Sequence, residues 1–285
     1  AERHSREALT NWCQQGRDFA WSVLDESPFA DWPSREFCGA GAVLDTFAGR
    51  VSPRALTTAI RACLQKTGRV RILEGATVRS IDADGRQVLL SDGASIAFGD
   101  LLVAAGVGSF SLLDTIGPAL RKPLGRGVKG QAALLKADLA ADLPLLYLDG
   151  LYVVPHEGGF VAIGSTSENR YDDPFSTDVQ LDALIAEARQ LAPVLETAEV
   201  IERWAGLRPK AIDRDPMVGP HPDHPHVHAL TGGFKVSFGI AHLLAGAALD
   251  ALDGKTLPLP HSFSLSHHVS VATDQASGEE FTEIP

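Results

Sequence analysis

The chain has 285 residues, of which 45% are hydrophobic, and its mean hydropathy is near zero. It is long enough to bury one large core or two smaller ones, as an ordinary globular protein does. Its 25 basic and 36 acidic residues give a formal charge of −11, and the absence of a basic stripe argues against a nucleic-acid partner. No apolar run approaches the roughly 18 residues needed to cross a bilayer, so we predict no membrane span.

Cysteine and histidine give no sign of a metal site. Cys13, Cys38 and Cys63 are an odd number without a C-x-x-C pair, which predicts neither a disulfide framework nor a zinc site and favours a reducing compartment, the cytoplasm. The four histidines between positions 221 and 228 alternate with prolines, a pattern typical of an extended, solvated turn. His267-His268 belongs to a polar segment and is discounted in the same way.

The first clear element is a helix over residues 52–67. Ser52 can cap it, Pro53 suits its first position, and an apolar stripe runs along one face up to Gly68. Four β-rich runs follow at 70–73, 77–81, 87–91 and 101–105, with Asp-Gly turns at 84–85 and 92–93. The last run ends in Ala104-Ala105-Gly106, which either lets a ligand approach the backbone or simply closes a core strand with a tight turn.

The second half begins with strands at 128–136, 145–148, 152–154 and 160–164, which we expect to be antiparallel. Apolar residues at helical spacing predict a helix over 177–191. A strand over 200–204 and a loop lead to a buried strand over 227–230, the Gly232-Gly233 break and an apolar helix over about 240–252. This order can place a helix N-terminus at a ligand. Residues 257–285 are expected to form a polar, peripheral tail.

Two motifs need their context. Gly125–Gly130 satisfies G-x-G-x-x-G, but Pro123 precedes it and a strand follows, so we predict a flexible, basic strand-entry loop and no dinucleotide site. Arg208 falls in the predicted Trp204–Pro209 turn, where its guanidinium needs a partner. An acid such as Asp213 or Asp215 could neutralise it, or it could hold the carboxylate of a ligand, and the sequence leaves both open.

Taken together, the segments resemble the D-amino-acid oxidase superfamily and, within it, glycine oxidase. No single segment is diagnostic, and the resemblance rests on their serial order. The matching segments are Arg50–Leu56, Ala76–Val78, Leu102–Gly106, Tyr152–Pro155, Ala162–Thr166, Trp204–Pro209, Asp215–Pro220 and Thr231–Lys235.

The resemblance implies a mixed α/β fold with a Rossmann-like FAD-binding domain and an antiparallel-sheet substrate domain. Residues 49–119 and 204–256 would form the FAD-binding domain, and residues 1–48 and 120–203 the substrate domain. It also implies an oxidoreductase that oxidises the C–N bond of an amino acid or related small amine to an imine, with hydride transfer to the flavin.

The resemblance assigns site residues as well. Arg208 matches the arginine that holds the substrate carboxylate, Tyr152 matches the tyrosine that assists it, and Lys235 lies nearby. The residues implied to contact FAD are Val78, Ala104, Ala105, Gly106, Gly206, Gly232, Gly233, Phe234, Lys235, Val236 and Ser237.

Two departures from the family pattern affect these expectations. The family begins with a strand, a G-x-G-x-x-G turn and a helix, which nothing before Ala1 supplies, so we expect this chain alone to bind FAD poorly. Glycine oxidase has an arginine in the turn that here spans Gly233–Gly239, two residues longer. Lys235 offers a point charge where arginine offers a fork, which puts the substrate preference in question.

Two rival interpretations stand beside this one, and the missing N-terminal segment supports the first. The chain could be a non-catalytic flavoprotein subunit or fragment that acts in a heteromer, with a partner that supplies the missing segment. It could also be the oxidase domain of a tRNA-modifying enzyme, although the acidic charge argues against this. A homo-oligomer is a further expectation.

Overall fold

The computed structural model describes residues 5–117, 119–140, 142–256 and 258–273. The chain divides into two compact units. Unit 1 consists of Ala1–Arg71 and Lys129–Gly206, and unit 2 of Ile72–Val128 and Leu207–Pro285. Both units contain helices and strands, so the mixed α/β class predicted from the sequence is confirmed.

Within these ranges the α-helices are α1 (Arg6–Gln15), α2 (Pro53–Lys66), α3 (Gly108–Leu113), α4 (Val179–Leu191), α5 (Ser237–Leu252) and α6 (Leu265–Thr273). The strands are β1 (Trp21–Leu24), β2 (Ala42–Asp45), β3 (Val78–Asp82), β4 (Gln87–Leu90), β5 (Ser95–Ala97), β6 (Leu101–Val103), β7 (Gly125–Lys136), β8 (Leu146–Leu148), β9 (Leu151–His156), β10 (Phe160–Gly164), β11 (Glu199–Ala211), β12 (Met217–Pro220) and β13 (Val227–Thr231). None of the described helices combines the length and apolar character that crossing a bilayer requires.

The largest sheet has the strand order β11-β7-β10-β9-β8. The pairs β7/β10, β10/β9 and β9/β8 are antiparallel, as the sequence predicted. Alternate residues of β9 and β10, among them Val153, Val161 and Ile163, are buried against Leu181 and Ile185 of α4. One face of the sheet is therefore covered by a helix, and the opposite side chains of the same strands are left for other contacts.

A buried polar network connects β7 to the start of α4. Gln131 donates to Glu168 at 3.0 Å and to Asp178 at 2.9 Å. Asp178 also caps α4 by accepting from the backbone N–H of Gln180 at 2.9 Å. Lys129, only 2% exposed, has its ammonium 3.8 Å from both carboxylates. These partners compensate the cost of burying the charges.

Unit 2 contains two three-stranded sheets, ordered β12-β13-β6 and β3-β4-β5. In the first sheet β6 and β13 run parallel, while β12 and β13 are antiparallel. Phe110 and Leu113 of α3 pack with Met217 of β12 and Val227 of β13 in the core of this unit. Because β6 and β13 are parallel, their carboxyl ends lie at the same edge of the sheet.

Residues 70–73, predicted as a strand, do not form one. No described strand pairs with them, and the side chains of Val70, Ile72 and Leu73 are 38–42% exposed. A β-rich sequence becomes a strand only where a neighbour satisfies its backbone groups. The prediction is therefore wrong for the structure described.

The G-x-G-x-x-G segment is not a flexible loop, since Gly125–Gly130 belongs to β7. The first glycine is needed for packing: a Cβ on Gly125 would lie 2.4 Å from the Phe110 ring and 2.6 Å from the carbonyl oxygen of Lys210. Close approach of neighbouring segments thus explains this glycine without any nucleotide.

Trp204–Pro209 is not a turn either, because β11 continues unbroken to Ala211. Pro209 cannot donate a ladder hydrogen bond, but β11 is an edge strand, where proline is tolerated. Arg208 is therefore held on an extended strand.

Part of the predicted peripheral tail is buried. Leu265, Val269 and Ala272 of α6 lie in the core of unit 2, since their spacing places them on one helical face. Residues 274–285 of that tail lie outside the described residues. The solvated-turn prediction is also wrong for two histidines, because His221 and His228 are 2% and 3% exposed and His228 belongs to β13.

Candidate functional site

The carboxyl ends of β6 and β13 bring together two of the segments singled out in the sequence. The Thr231 hydroxyl donates to the carbonyl oxygen of Gly106 at 2.8 Å, which joins the end of β13 to the residues after β6. Ala104 and Ala105 are exposed beside this bond, and Gly106 has a positive φ of 57°. Ligands of α/β proteins commonly bind outside the carboxyl ends of parallel strands, and small residues keep this edge open.

The turn that follows β13 is conformationally specialised. Gly232 has φ 78°, and a Cβ there would lie 2.9 Å from Cβ of Ala211. Phe234 is left-handed with φ 44°, which is uncommon for a bulky residue. Lys235 and Val236 are exposed, and α5 begins at Ser237, whose side chain lies outside the described part of the chain.

Arg208 is connected to this turn through the backbone. The N–H of Phe234 donates to the carbonyl oxygen of Pro209 at 3.0 Å, and Lys210 and Gly233 form a β-bridge. The Arg208 side chain is half-buried. Asp213, one of the two acids considered as its partner, is 2.8 Å from Nε2 of His267. The end of β11 and the glycine turn thus form one local assembly within unit 2.

Positive charge collects around Phe234. The ammonium groups of Lys210 and Lys235 each lie 5.6 Å from the centre of its ring, within cation–π range. Burial lowers the pKa of Lys210, and Arg214, Arg126 and Lys235 lower it further by charge repulsion. The assembly therefore presents a cationic surface although the whole chain is acidic.

Tyr152 lies in unit 1, on β9, where it faces Gly164 of β10 and Tyr147 of β8. Its ring is 46% exposed and lies 4.6 Å from the Tyr147 ring, centre to centre. Burial and the neighbouring Tyr147 raise the pKa of the Tyr152 hydroxyl. This hydroxyl is therefore protonated at neutral pH and can donate a hydrogen bond.

Tyr147 is a further candidate that was not singled out in the sequence. Leu148 pairs with Leu151 across Asp149 and Gly150, both of which have positive φ. Asp-Gly between two β-rich runs is the usual signal of a two-residue hairpin, which places Tyr147 opposite Tyr152. Recognising this turn would have paired the two tyrosines from the sequence.

Of the remaining candidates, Val78 belongs to unit 2 and Gly206 to unit 1. Val78 is the first residue of β3, pairs with Leu90 and is partly exposed. Gly206 belongs to the part of β11 in unit 1, and a Cβ there would meet no atom within 4 Å. Unit 2 thus assembles Ala104–Gly106, Arg208 and the Gly232–Val236 turn, while Tyr152 and Gly206 are in unit 1.

Comparison with known proteins identifies the family. The model of the DAO family, described as FAD dependent oxidoreductase, matches residues 1–247. The chain belongs to this family. The resemblance inferred from the order of the sequence segments is thereby confirmed, and FAD is the cofactor of the family.

Individual relatives agree with the family assignment. A glycine oxidase from Pseudomonas aeruginosa is 33% identical over 251 residues, which are 82% of this chain and 67% of the relative. The glycine oxidase of Pseudomonas putida is 33% identical over 208 residues, which are 71% of this chain and 55% of the relative. The chain thus spans about two thirds or less of these relatives.

The fold also matches a solved structure. Glycine oxidase from Geobacillus kaustophilus superposes with a TM-score of 0.79 at 23% identity, over 92% of this chain and 70% of that one. The DAO-family fold is therefore shared.

Proposed function

We propose that the protein oxidises the C–N bond of a carboxylate-bearing amino acid or related amine with FAD. The observation that carries this proposal is the placement of Arg208 beside the glycine turn at the carboxyl ends of β6 and β13. A guanidinium fork next to small residues and a cationic surface suits a ligand with a carboxylate.

The residues of unit 2 fit an extended, flat cofactor at this edge. Exposed Ala104 and Ala105, and the partly exposed, positive-φ Gly106, leave backbone accessible where larger side chains would obstruct it. We assign Ala104–Gly106 and Gly232–Ser237 to FAD binding, with Val78 and Gly206 as further contacts. FAD would supply a hydride acceptor there for oxidation of the amine C–N bond, and water would hydrolyse the resulting imine.

The side chains of this chain then position the substrate. Arg208 can bind its carboxylate bidentately and so fix the α-carbon. We assign Tyr152 the assisting role that the family resemblance implies: its hydroxyl, whose pKa is raised by burial and by Tyr147, remains protonated and can donate a hydrogen bond. Lys235 adds positive charge to the same assembly.

Replacing Arg208 tests the proposal in the flavin-loaded protein. We expect Arg208→Met to raise KM for amino-acid substrates by the equivalent of roughly 2–5 kcal/mol, typical of breaking a buried charge pair. Arg208→Lys should be nearly as poor, because an ammonium cannot replace the planar fork. Steady-state kinetics over a series of amino acids and N-alkyl amino acids measure both effects.

Arg61→Met is the matched control, since Arg61 is exposed on α2. It should leave KM unchanged. Normal kinetics in both Arg208 variants with every carboxylate substrate would place the anchor elsewhere.

We also propose a cytoplasmic location. The cysteines form no disulfide with one another, and Cys63 is exposed, which suits a reducing compartment.

A further inference from the structure

The proposed function assigns Lys210 no group of the substrate to bind, yet its position relates it directly to Arg208. The two residues are two positions apart on β11, and residues i and i+2 of a strand lie on the same face. Lys235, the other lysine beside Phe234, is in the turn after β13, and Gly233 of that turn forms a β-bridge with Lys210 of β11. Arg208 and the lysine pair therefore belong to one local assembly of unit 2.

The two lysines lie close to each other around a single ring. Each ammonium is 5.6 Å from the centre of the Phe234 ring, and Lys210 is half-buried. Arg126 and Arg214 are near enough to depress the pKa of Lys210 as well. Partial burial of one ammonium next to three other cations costs free energy, and the ring quadrupole offsets only part of this cost.

Neither lysine has an acidic partner in the part of the chain that the structure describes. Other lysines do: Lys129 lies near Glu168 and Asp178, and Lys255 pairs with Asp250 and Asp253. The acids that follow Lys210 in the chain, Asp213 and Asp215, interact with histidines of α6. Asp213 contacts His267, and Asp213 and Asp215 both act to raise the pKa of His268.

We propose that Lys210 and Lys235, both within cation–π range of the Phe234 ring, bind a second carboxylate of the substrate. The substrate class is then an amine that carries two carboxylates. This inference rests on the proposed function, in which Arg208 binds the first carboxylate. An anion at the lysine pair would supply the negative charge that the described residues do not, and two cationic subsites would discriminate against amines with one carboxylate.

Binding of non-reactive anions to the flavin-loaded protein tests the subsite without turnover. Isothermal titration with malonate, acetate and inorganic phosphate is the measurement. Malonate should bind at least about tenfold tighter than acetate. Lys210→Met and Lys235→Met should each abolish this advantage, measured as the ratio of malonate affinity to acetate affinity within the same variant.

The control is Lys255→Met, which removes an exposed lysine paired with its own acids. It should keep the full preference for malonate. Lys235 is exposed, so its variant tests the subsite even if Lys210→Met fails to fold. Phosphate that binds as tightly as malonate and independently of Arg208 would overturn the proposal in favour of a simple phosphate site.

Kinetics separate this inference from the proposed function. Iminodiacetate should exceed sarcosine in kcat/KM by at least about tenfold, and Lys235→Met should remove the difference. If kcat/KM is equal for both amines and Lys235→Met does not change it, the second subsite is refuted and the proposed function still holds. If no amine is oxidised and Arg208→Met changes nothing, the proposed function fails, whereas malonate titration still decides whether the lysines bind an anion.

Discussion

His268, a titratable residue of α6, is fully buried, with an exposed fraction of 0%. Its Nε2 can donate to the carbonyl oxygen of Pro216 at 3.3 Å, and within the described residues its Nδ1 has no hydrogen-bond partner. Burial lowers the pKa of His268, since a proton on Nδ1 would place an unsolvated charge in the core. Burial lowers the pKa of His221 and His228 of the same unit as well.

These histidines predict that stability is lost in acid. An unfolded histidine binds a proton below a pH of about 6.5, whereas the buried imidazole resists it. The unfolded state therefore binds more protons, and the free energy of unfolding falls as the pH drops below that value. Thermal unfolding between pH 8 and pH 5 should show this, and His268→Leu should flatten the dependence. His242→Leu, on the exposed face of α5, should leave the slope unchanged; an unaltered slope in His268→Leu would refute the assignment.

The sequence singled out Arg208 as a charged residue near a glycine and a proline, with its partner left open, and only through the family resemblance did it point to Lys235. It did not indicate Lys210 or Tyr147. Their significance comes from strand register, which puts Lys210 on the face of Arg208 and Tyr147 opposite Tyr152. Register depends on where a strand begins and ends, and β11 extends seven residues beyond its predicted end at Trp204.

At the level of elements, two helix caps of the same kind have different surroundings. Ser52 accepts from the N–H of Ala55 at 3.4 Å and caps α2, none of whose residues is buried. Asp178 caps α4 and also accepts from buried Gln131, with Lys129 at 3.8 Å. Removing the Asp178 carboxylate leaves buried polar groups without a hydrogen-bond partner. Removing the Ser52 hydroxyl affects only one exposed helical turn.

We therefore expect Asp178→Ala to lower the melting temperature clearly more than Ser52→Ala, whose cost should be about 1 kcal/mol or less. Asp178→Asn keeps an acceptor for α4 and should fall between the two. Thermal denaturation followed by circular dichroism measures all three. Equal effects of the two alanine variants would show that the Lys129, Gln131 and Glu168 network does not depend on Asp178.

Local signals predicted the elements that they control. Ser52 and Pro53 located the start of α2, Pro193 the end of α4, and the β-rich run at 160–164 all of β10. Local signals failed where a distant partner decides. Residues 70–73 have strand propensity without a described neighbour, and Pro209 lies in a strand because the edge of the sheet tolerates it.

At the scale of the whole molecule, β7 and β11 each contribute residues to both units. The chain changes unit at these strands without a loop. The remaining passage, between Arg71 and Ile72, lies in an exposed segment that has no regular secondary structure. Each unit therefore consists of two separate stretches of the chain. Two of the boundaries lie inside regular strands, where sequence patterns give no signal of a change of unit.

This arrangement determines where a protease can cut and what the cut releases. Arg69 and Arg71 are exposed outside any helix or strand, while backbone pairing protects β7 and β11, so limited trypsin treatment should nick the chain first near residue 70. The N-terminal piece should nevertheless stay bound, because Trp32 is buried in the core of unit 1 and Arg54 pairs with Glu202 at 2.6 Å. A denaturing gel should then show two fragments, and native gel filtration should show one peak. Separate elution of the small fragment would mean that these contacts do not outlast the cut.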